Sequence, residues 1–290
     1  SYEGQRPCCC WCLRIDPSSS PGSRVMAAIA EPPIVVIVGA SSKHDKEGTA
    51  SDVPPESRWG LAGGLAMTFA AAGFHVVLTA RRSGVLEEMA TAVREHGAEK
   101  MAERGLAVTS KVLCKSCDVS KDDEVAGLFD FVKAELAPSR TGKYFVDCLI
   151  FNASPGFPEG FSFGDAAPLP HELDLEYMNM AYDVQVGGII RCMKHVVPDM
   201  LEAGKGCILL SGATMQLRGG AKFGALAPAK TALRSLGQSM YQAYGPKGIH
   251  VCNINIDGVI DSPNTRAWMP VDKLMQPLEI GEQYLAMYNQ

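Results

Sequence analysis

Nowhere in this sequence does an apolar run approach the roughly 20 residues that cross a bilayer, so no membrane span is expected. Positive charge is not in surplus either. A net charge of -5 and a pI near 5.7 exclude a broad nucleic-acid-binding surface. A disulfide framework is missing too. Six of the ten cysteines (Cys114, Cys117, Cys148, Cys192, Cys207 and Cys252) are scattered through apolar segments, as in a chain kept reduced. Cys114-Lys-Ser-Cys117 has C-x-x-C spacing, but it lies along an expected strand rather than at a strand-to-helix turn, and no metal site is expected. The sequence also lacks an opening Met. Residues 1–25 crowd four cysteines against a Ser/Pro/Gly tract, and a cleaner start comes at Met26. That piece is expected to lie outside the fold, as leader sequence or as the end of a transit peptide. The compartment expected is a reducing one: the cytosol, or an organelle if the transit reading holds.

Hydrophobic residues, by contrast, make up 47% of 290 residues, enough for one large core. The organising stretch is Pro33 to Phe74. Ile34 to Val38 is a continuous β-branched run, as in a strand buried on both faces of a parallel sheet. Gly39 ends it. Trp59 to Ala72 is small and apolar, reads as a helix packed close to a sheet, and is ended by Gly73. Strand, glycine turn and small-residue helix form the first half of a dinucleotide-binding unit, in which backbone N–H groups reach a pyrophosphate at the helix N-terminus. Gly39, Gly60 and Ala62 give G-x-x-x-G-x-A once Ser42 to Arg58 is set aside as an insert. The insert is charged and carries Pro54-Pro55, so it is expected as an exposed surface loop.

Further strands are expected at His75–Ala80, Leu106–Val119, Cys148–Asn152, Gly206–Ser211 and Ile249–Ile256. Helices are expected at Ser83–Glu103, from Ser120 to Ala137, and over Glu172–Ala203, Ala221–Tyr244 and Asp272–Tyr288. Six alternations predict an α/β fold: a single domain built as a doubly wound parallel sheet, a Rossmann-type three-layer sandwich. Such sheets bind ligands at the carboxyl ends of their strands, where Gly39, Arg81, Asp118, Asn152, Ser211 and Gly258 all fall. Arg81-Arg82 end the second strand, and no acid follows before Glu87. Arginine there suits the 2′-phosphate of NADP(H), whereas NAD(H) asks for an acid.

In that order and spacing the chain resembles the short-chain dehydrogenase/reductase family, over roughly Ile34 to Tyr288. Gly39, Gly60 and Ala62 match the family's glycine turn. Asp118-Val119 match its adenine-contacting pair, Asn152-Ala153 its motif after the fourth strand, and Asp257-Gly258 its motif after the sixth. The resemblance implies a nicotinamide cofactor held by Gly39, Gly60, Ala62, Asp118, Val119, Asn152, Ala153 and Gly258 together with Ser41, Leu61, Arg81, Arg82 and Ile260. It implies catalysis by an Asn-Ser-Tyr-Lys set, and of that set only Lys230 is present. The tyrosine position is Leu226, whose alkyl side chain cannot transfer a proton. The serine position is Ala213, flanked by the hydroxyls of Ser211 and Thr214, and the asparagine position is Gln185. In the family the lysine also bonds the nicotinamide ribose, which needs no tyrosine. The lengthened glycine loop with Trp59-Gly60 is reminiscent of the enoyl-acyl-carrier-protein reductase branch, whose tyrosine would fall on Phe223. Tyr182 is a further candidate acid.

The functions expected are therefore an NADP(H)-dependent oxidoreductase for a small carbonyl, alcohol or enoyl substrate, a silent cofactor-binding subunit, or a structural scaffold. Family members pair through the two long helices after the fourth and fifth strands. Ile189, Ile190, Met193, Leu236 and Met240 suggest the same here, so a homo-oligomer or a subunit of an assembly is expected. The family's usual seventh strand is expected beyond Gln290.

Overall fold

The computed structural model describes residues 13–14, 31–40, 53–107, 109–156 and 168–290. The strands are β1 (Leu13–Arg14), β2 (Ile34–Val38), β3 (His75–Ala80), β4 (Val112–Ser116), β5 (Cys148–Phe151), β6 (Gly206–Ala213) and β7 (Ile249–Ile256). All pair in parallel, in the order β1-β7-β6-β5-β2-β3-β4. The chain builds outward from β2 through β3 to β4, then crosses over to β5 and builds the other way. The switch point thus lies between β2 and β5, as the sequence pattern predicts for a doubly wound sheet.

Helices α2 (Gly60–Ala71), α3 (Ser83–Glu103) and α9 (Pro277–Tyr288) cover one face. Helices α4 (Asp122–Leu136), α6 (Gly188–Ala203) and α7 (Ala227–Tyr244) cover the other. Shorter helices are α1 (Pro55–Arg58), α5 (Leu175–Tyr182) and α8 (Pro263–Arg266). Every residue of β2, β3 and β5 is buried, which is why these strands read as unbroken apolar runs. Helix α2 is buried almost throughout because it lies between the sheet and α9. A side chain at Gly64 would meet the Pro277 carbonyl oxygen at 2.1 Å, so the two helices touch backbone to backbone.

Several expectations are corrected. The third strand is β4 alone, far shorter than Leu106–Val119. Glu172–Ala203 is mostly helical as expected, running unbroken from Leu175, with a π-helical turn at Asp183–Gly187 between α5 and α6. Helix α7 starts at Ala227 and α9 at Pro277, because proline fits the first helical turn. Leu13 and Arg14, in the segment set outside the fold, pair with Ile254 and Asn255 at the sheet edge. The end of the insert is not an exposed loop, since Pro55–Arg58 is helical and both Val53 and Ser57 are buried. Ser41 and the earlier part of the insert lie outside the described residues. Of the apolar residues offered for pairing, Ile189 and Met240 belong to the core and Ile190 is exposed, alongside Leu175, Met180 and Tyr182 of α5. No helix among the described residues is long and apolar enough to cross a membrane.

Gly39 has φ +87°, and a Cβ there would sit 2.6 Å from the backbone of Ala153. Gly39→Ala is therefore expected to lose at least about 1–3 kcal/mol, the usual cost of a strained backbone conformation. Gly219→Ala, with nothing within 4 Å of the new methyl, should be near neutral. Urea unfolding of the two variants checks this, and equal midpoints would refute the close approach.

Candidate active site

The carboxyl ends of the strands gather most of the residues singled out above. At the switch point Asn152 closes the gap between β2 and β5. Its backbone N–H donates to the Val38 carbonyl at 2.8 Å and its Nδ2 to the Gly39 carbonyl at 3.0 Å. Ala153 is buried against Gly39. Gly60, with φ +54°, opens α2, followed by the buried Leu61 and Ala62. The first turn of α2 carries no acid, so its N–H groups present an uncompensated positive end. Beside it Trp59 Nε1 is buried with no hydrogen-bond partner among the described residues.

Arg81 is exposed and Arg82 half-buried just past β3. The nearest acid in sequence, Glu87, accepts a hydrogen bond from the Cys114 thiol at 2.9 Å. Partial burial and this bond push that thiol up to about 11. Burial raises Cys117 equally, so neither sulfur of the C-x-x-C pair is a ready thiolate. Asp118 is half-buried, which alone would raise its pKa. Ser120, donating through N–H at 3.0 Å and Oγ at 2.8 Å, outweighs burial together with nearby Arg81, and the carboxyl is held low. Val119 is buried against α6, where Gly188 leaves room for it.

Lys230 lies on α7, one turn beyond Leu226, whose carbonyl accepts its backbone N–H at 3.1 Å. Its ammonium is buried, and Nζ donates to the Ser211 carbonyl at 2.9 Å. Burial lowers its pKa to about 8. Leu226 fills a small apolar cluster with Tyr177, Ala181, Ala225 and Ala229. Ser211 turns into the core, where its Oγ accepts from the Tyr284 hydroxyl at 2.8 Å, so it offers nothing to the carboxyl edge. Thr214 stays half-buried at the end of β6 and donates to Asp257 Oδ1 at the end of β7. Gln185 sits in the π turn, fully buried, with neither amide atom hydrogen-bonded. Tyr182 is exposed at the end of α5. Gly258 abuts Met275, and Ile260 pairs with Met275 through an isolated parallel bridge.

Sequence reasoning missed the clasp beside Gly60. Asp261, with no exposed surface, accepts two hydrogen bonds from Arg266 at 2.6 Å each and one from Ser57 Oγ at 2.7 Å. The clasp ties the end of the insert to the segment after β7, and no motif spacing marks it. Burial would raise the Asp261 pKa, but the Arg266 and Ser57 bonds prevail and hold it low. A depressed folded pKa contributes stability that is present above the unfolded value near 3.9 and lost as pH falls through the folded one. Ser57→Ala should cost about 1–3 kcal/mol. Asp261→Asn, which strips Arg266 of this counter-charge, should cost about 3–5 kcal/mol at neutral pH and flatten the acid limb of the stability–pH curve. Denaturation midpoints measured across pH 2.5–7 test both, and an unchanged acid limb in Asp261→Asn would reject the clasp.

The family model described as short chain dehydrogenase matches residues 58–271. The cis-4-hydroxycyclohexanecarboxylate dehydrogenase of Sinomonas cyclohexanicum is 28% identical over 233 residues, covering 70% of this chain and 87% of that protein. The 7alpha-hydroxysteroid dehydrogenase of Escherichia coli K12 is 24% identical over 237 residues, covering 78% and 82%. Among solved structures, L-sorbose reductase from Gluconobacter frateurii, complexed with NADPH and L-sorbose, superposes with a TM-score of 0.66 at 19% identity, covering 88% of this chain and 89% of that one. With more than half of its length matched by that model, the chain belongs to the short-chain dehydrogenase family of oxidoreductases.

Proposed function

We propose that the protein is an NADP(H)-dependent oxidoreductase whose substrate is a secondary alcohol or ketone on a saturated ring. The observation that carries the reading is the buried Lys230 ammonium at the carboxyl edge of the sheet, with one hydrogen bond in place and two donors to spare. An ammonium buried with a single neutral acceptor costs the fold stability, which is the pattern of a functional group. The ring alcohols named for the two relatives above support the substrate class. So do the exposed Leu217, Trp268 and Val271, on segments that leave the ends of β6 and β7.

The residues present fit a dinucleotide. The N-terminus of α2 and Trp59 Nε1, unpartnered among the described residues, suit a pyrophosphate, which Gly39, Gly60, Leu61 and Ala62 would border. Arg81 and Arg82 suit the 2′-phosphate, and the nearby Glu87 and Asp118 carboxylates accept hydrogen bonds from Cys114 and Ser120. Asp118 and Val119 would border the adenine, and Asn152 and Ala153 the switch point. Gly258 and Ile260 would flank the nicotinamide, and Lys230 would bond its ribose. When bound, the cofactor supplies or accepts hydride. Lys230 orients the ribose, and the apolar cluster around Leu226 keeps water from that side. Dimerisation through α5 and α6 is part of the same reading, resting on exposed Leu175, Met180, Tyr182 and Ile190.

NADPH should bind more tightly than NADH by about 1.5–3 kcal/mol, the range for hydrogen bonds to charged groups. Arg81→Ala/Arg82→Ala should erase that difference and leave NADH binding nearly unchanged. Lys230→Met should weaken binding of both cofactors while raising or preserving the melting temperature, since it removes a buried charge. Fluorescence titration and thermal unfolding read these two effects. Equal affinity of the parent for both cofactors would reject the NADP preference, and no binding of either would reject the reading as a whole.

A further inference from the structure

The family's proton-transferring tyrosine is replaced by Leu226, and its serine by Ala213. A hydroxyl–carboxylate pair nevertheless stands at the ends of β6 and β7. Thr214 Oγ1 donates to Asp257 Oδ1, and both residues are half-buried rather than sealed in the core. The bond crosses from the end of β6 to the end of β7 and is held from beneath. Thr214–Gln216 forms a single 3-10 turn. Gln216 inserts its amide under Gly212, where a Cβ would meet it at 2.4 Å. Its Nε2 donates to Asn253 Oδ1 at 2.6 Å and to Asn255 Oδ1 at 3.2 Å, so β7 grips the turn from inside. Its carbonyl lies 3.3 Å from Oγ1 of Thr231, the residue after Lys230, whose one proton is shared with the nearer Ala227 carbonyl at 2.9 Å. A hydroxyl fixed by a carboxylate, on a turn braced by buried amides and tied to the lysine helix, is the geometry of a base acting through an alcohol.

We propose that Thr214 and Asp257 form the proton-transferring pair of this protein, Thr214 touching the substrate oxygen and Asp257 acting as the base behind it. The proposal rests on the oxidoreductase reading above. In alcohol oxidation the C–H bond of the carbinol breaks, and its electron pair leaves as hydride to the oxidised nicotinamide. The O–H bond breaks as well. Its proton passes to Thr214 Oγ1 while Thr214 gives its own proton to Asp257 Oδ1, and the oxygen's electron pair becomes the C=O π bond. Asp257 then releases one proton to water. Reduction of the ketone runs through the same atoms in reverse. Ser211 cannot do this, because Tyr284 holds its hydroxyl in the core. Leu226 has no proton to move.

The experiment uses the full chain, with cis-4-hydroxycyclohexanecarboxylate and NADP+ for turnover and the corresponding ketone for binding. Thr214→Val and Asp257→Asn should each lower kcat by about 100- to 10,000-fold, the usual loss when a general acid or base is removed. NADPH affinity should stay within twofold, and Thr214→Ser should keep turnover within about tenfold. Binding of the ketone to the cofactor-free protein, followed by tryptophan fluorescence, gives a readout independent of turnover. There Thr214→Val should weaken affinity by about three- to tenfold, one hydrogen bond's worth, and Thr214→Ser should restore it. A parent that turns over while either Thr214→Val or Asp257→Asn matches it overturns the pair and leaves the oxidoreductase reading standing. Unchanged ketone affinity in Thr214→Val likewise overturns the Thr214 contact. A parent that binds NADPH yet oxidises no ring alcohol overturns the oxidoreductase reading, and the pair falls with it.

Discussion

The carboxyl edge of this sheet depends on the close approach of Gly39 to Ala153. The chain reverses its direction of building between β2 and β5, so the loops leaving these two strands must part over one another. With φ at +87° and no side chain, Gly39 lets the backbone after β5 lie where a Cβ would be. Asn152 then stitches the two loops with its backbone and its amide. Fill that space and the two halves of the sheet separate at the crevice where a doubly wound fold binds its ligand. The end of β3 is held to this junction, since the Gly39 and Ala40 N–H groups both donate to the Thr79 carbonyl at 2.9 Å.

The two edges of the sheet use buried polar groups differently. At the amino edge, Asp147 accepts from the Ile34 N–H at 2.7 Å and pairs with Arg140, while His75 Nδ1 accepts from the Lys111 N–H at 2.9 Å. These contacts join neighbouring strands, although Arg140 Nε and His250 Nε2 at the same edge are buried without a partner among the described residues. Burial lowers the His75 pKa to about 4, so the ring is neutral at physiological pH and serves as a fixed acceptor. At the carboxyl edge, among the described residues, Lys230 Nζ has one acceptor and Trp59 Nε1 and the Gln185 amide have no partner. Buried groups left in that state cost stability.

Much of this was legible in the sequence, and for a physical reason. Strands buried on both faces must be apolar throughout, so β2, β3 and β5 announce themselves. Glycine turns and small-residue helices mark backbone contacts that no other residues allow. The errors also have physical sources. Leu106–Val119 carries enough β-branched and apolar residues to read as a long strand, but β4 is an edge strand with partners over five residues only. The π turn at Asp183–Gly187 adds one residue within a helical pattern, a change that periodicity barely registers. The end of the insert looked solvated because Pro54-Pro55 and its charges read as loop, yet Ser57 is buried by a bond to a residue 204 positions away. Long-range polar pairs of that kind, Thr214 with Asp257 among them, have no periodic signature.

Lys230 then settles which of the remaining readings is most economical. A scaffold has no use for an ammonium sealed beside a single carbonyl, since an apolar side chain of like volume would pack there without desolvation cost. A silent cofactor-binding subunit would use the lysine, but it would not need a hydroxyl aligned on a carboxylate at the ends of β6 and β7. Nor would it need three buried amides to keep that turn in place. Pre-aligned donors and acceptors matter most where charge changes during a reaction, because their orientation has been fixed during folding rather than at the moment of transfer. The braced turn at Thr214 has that character.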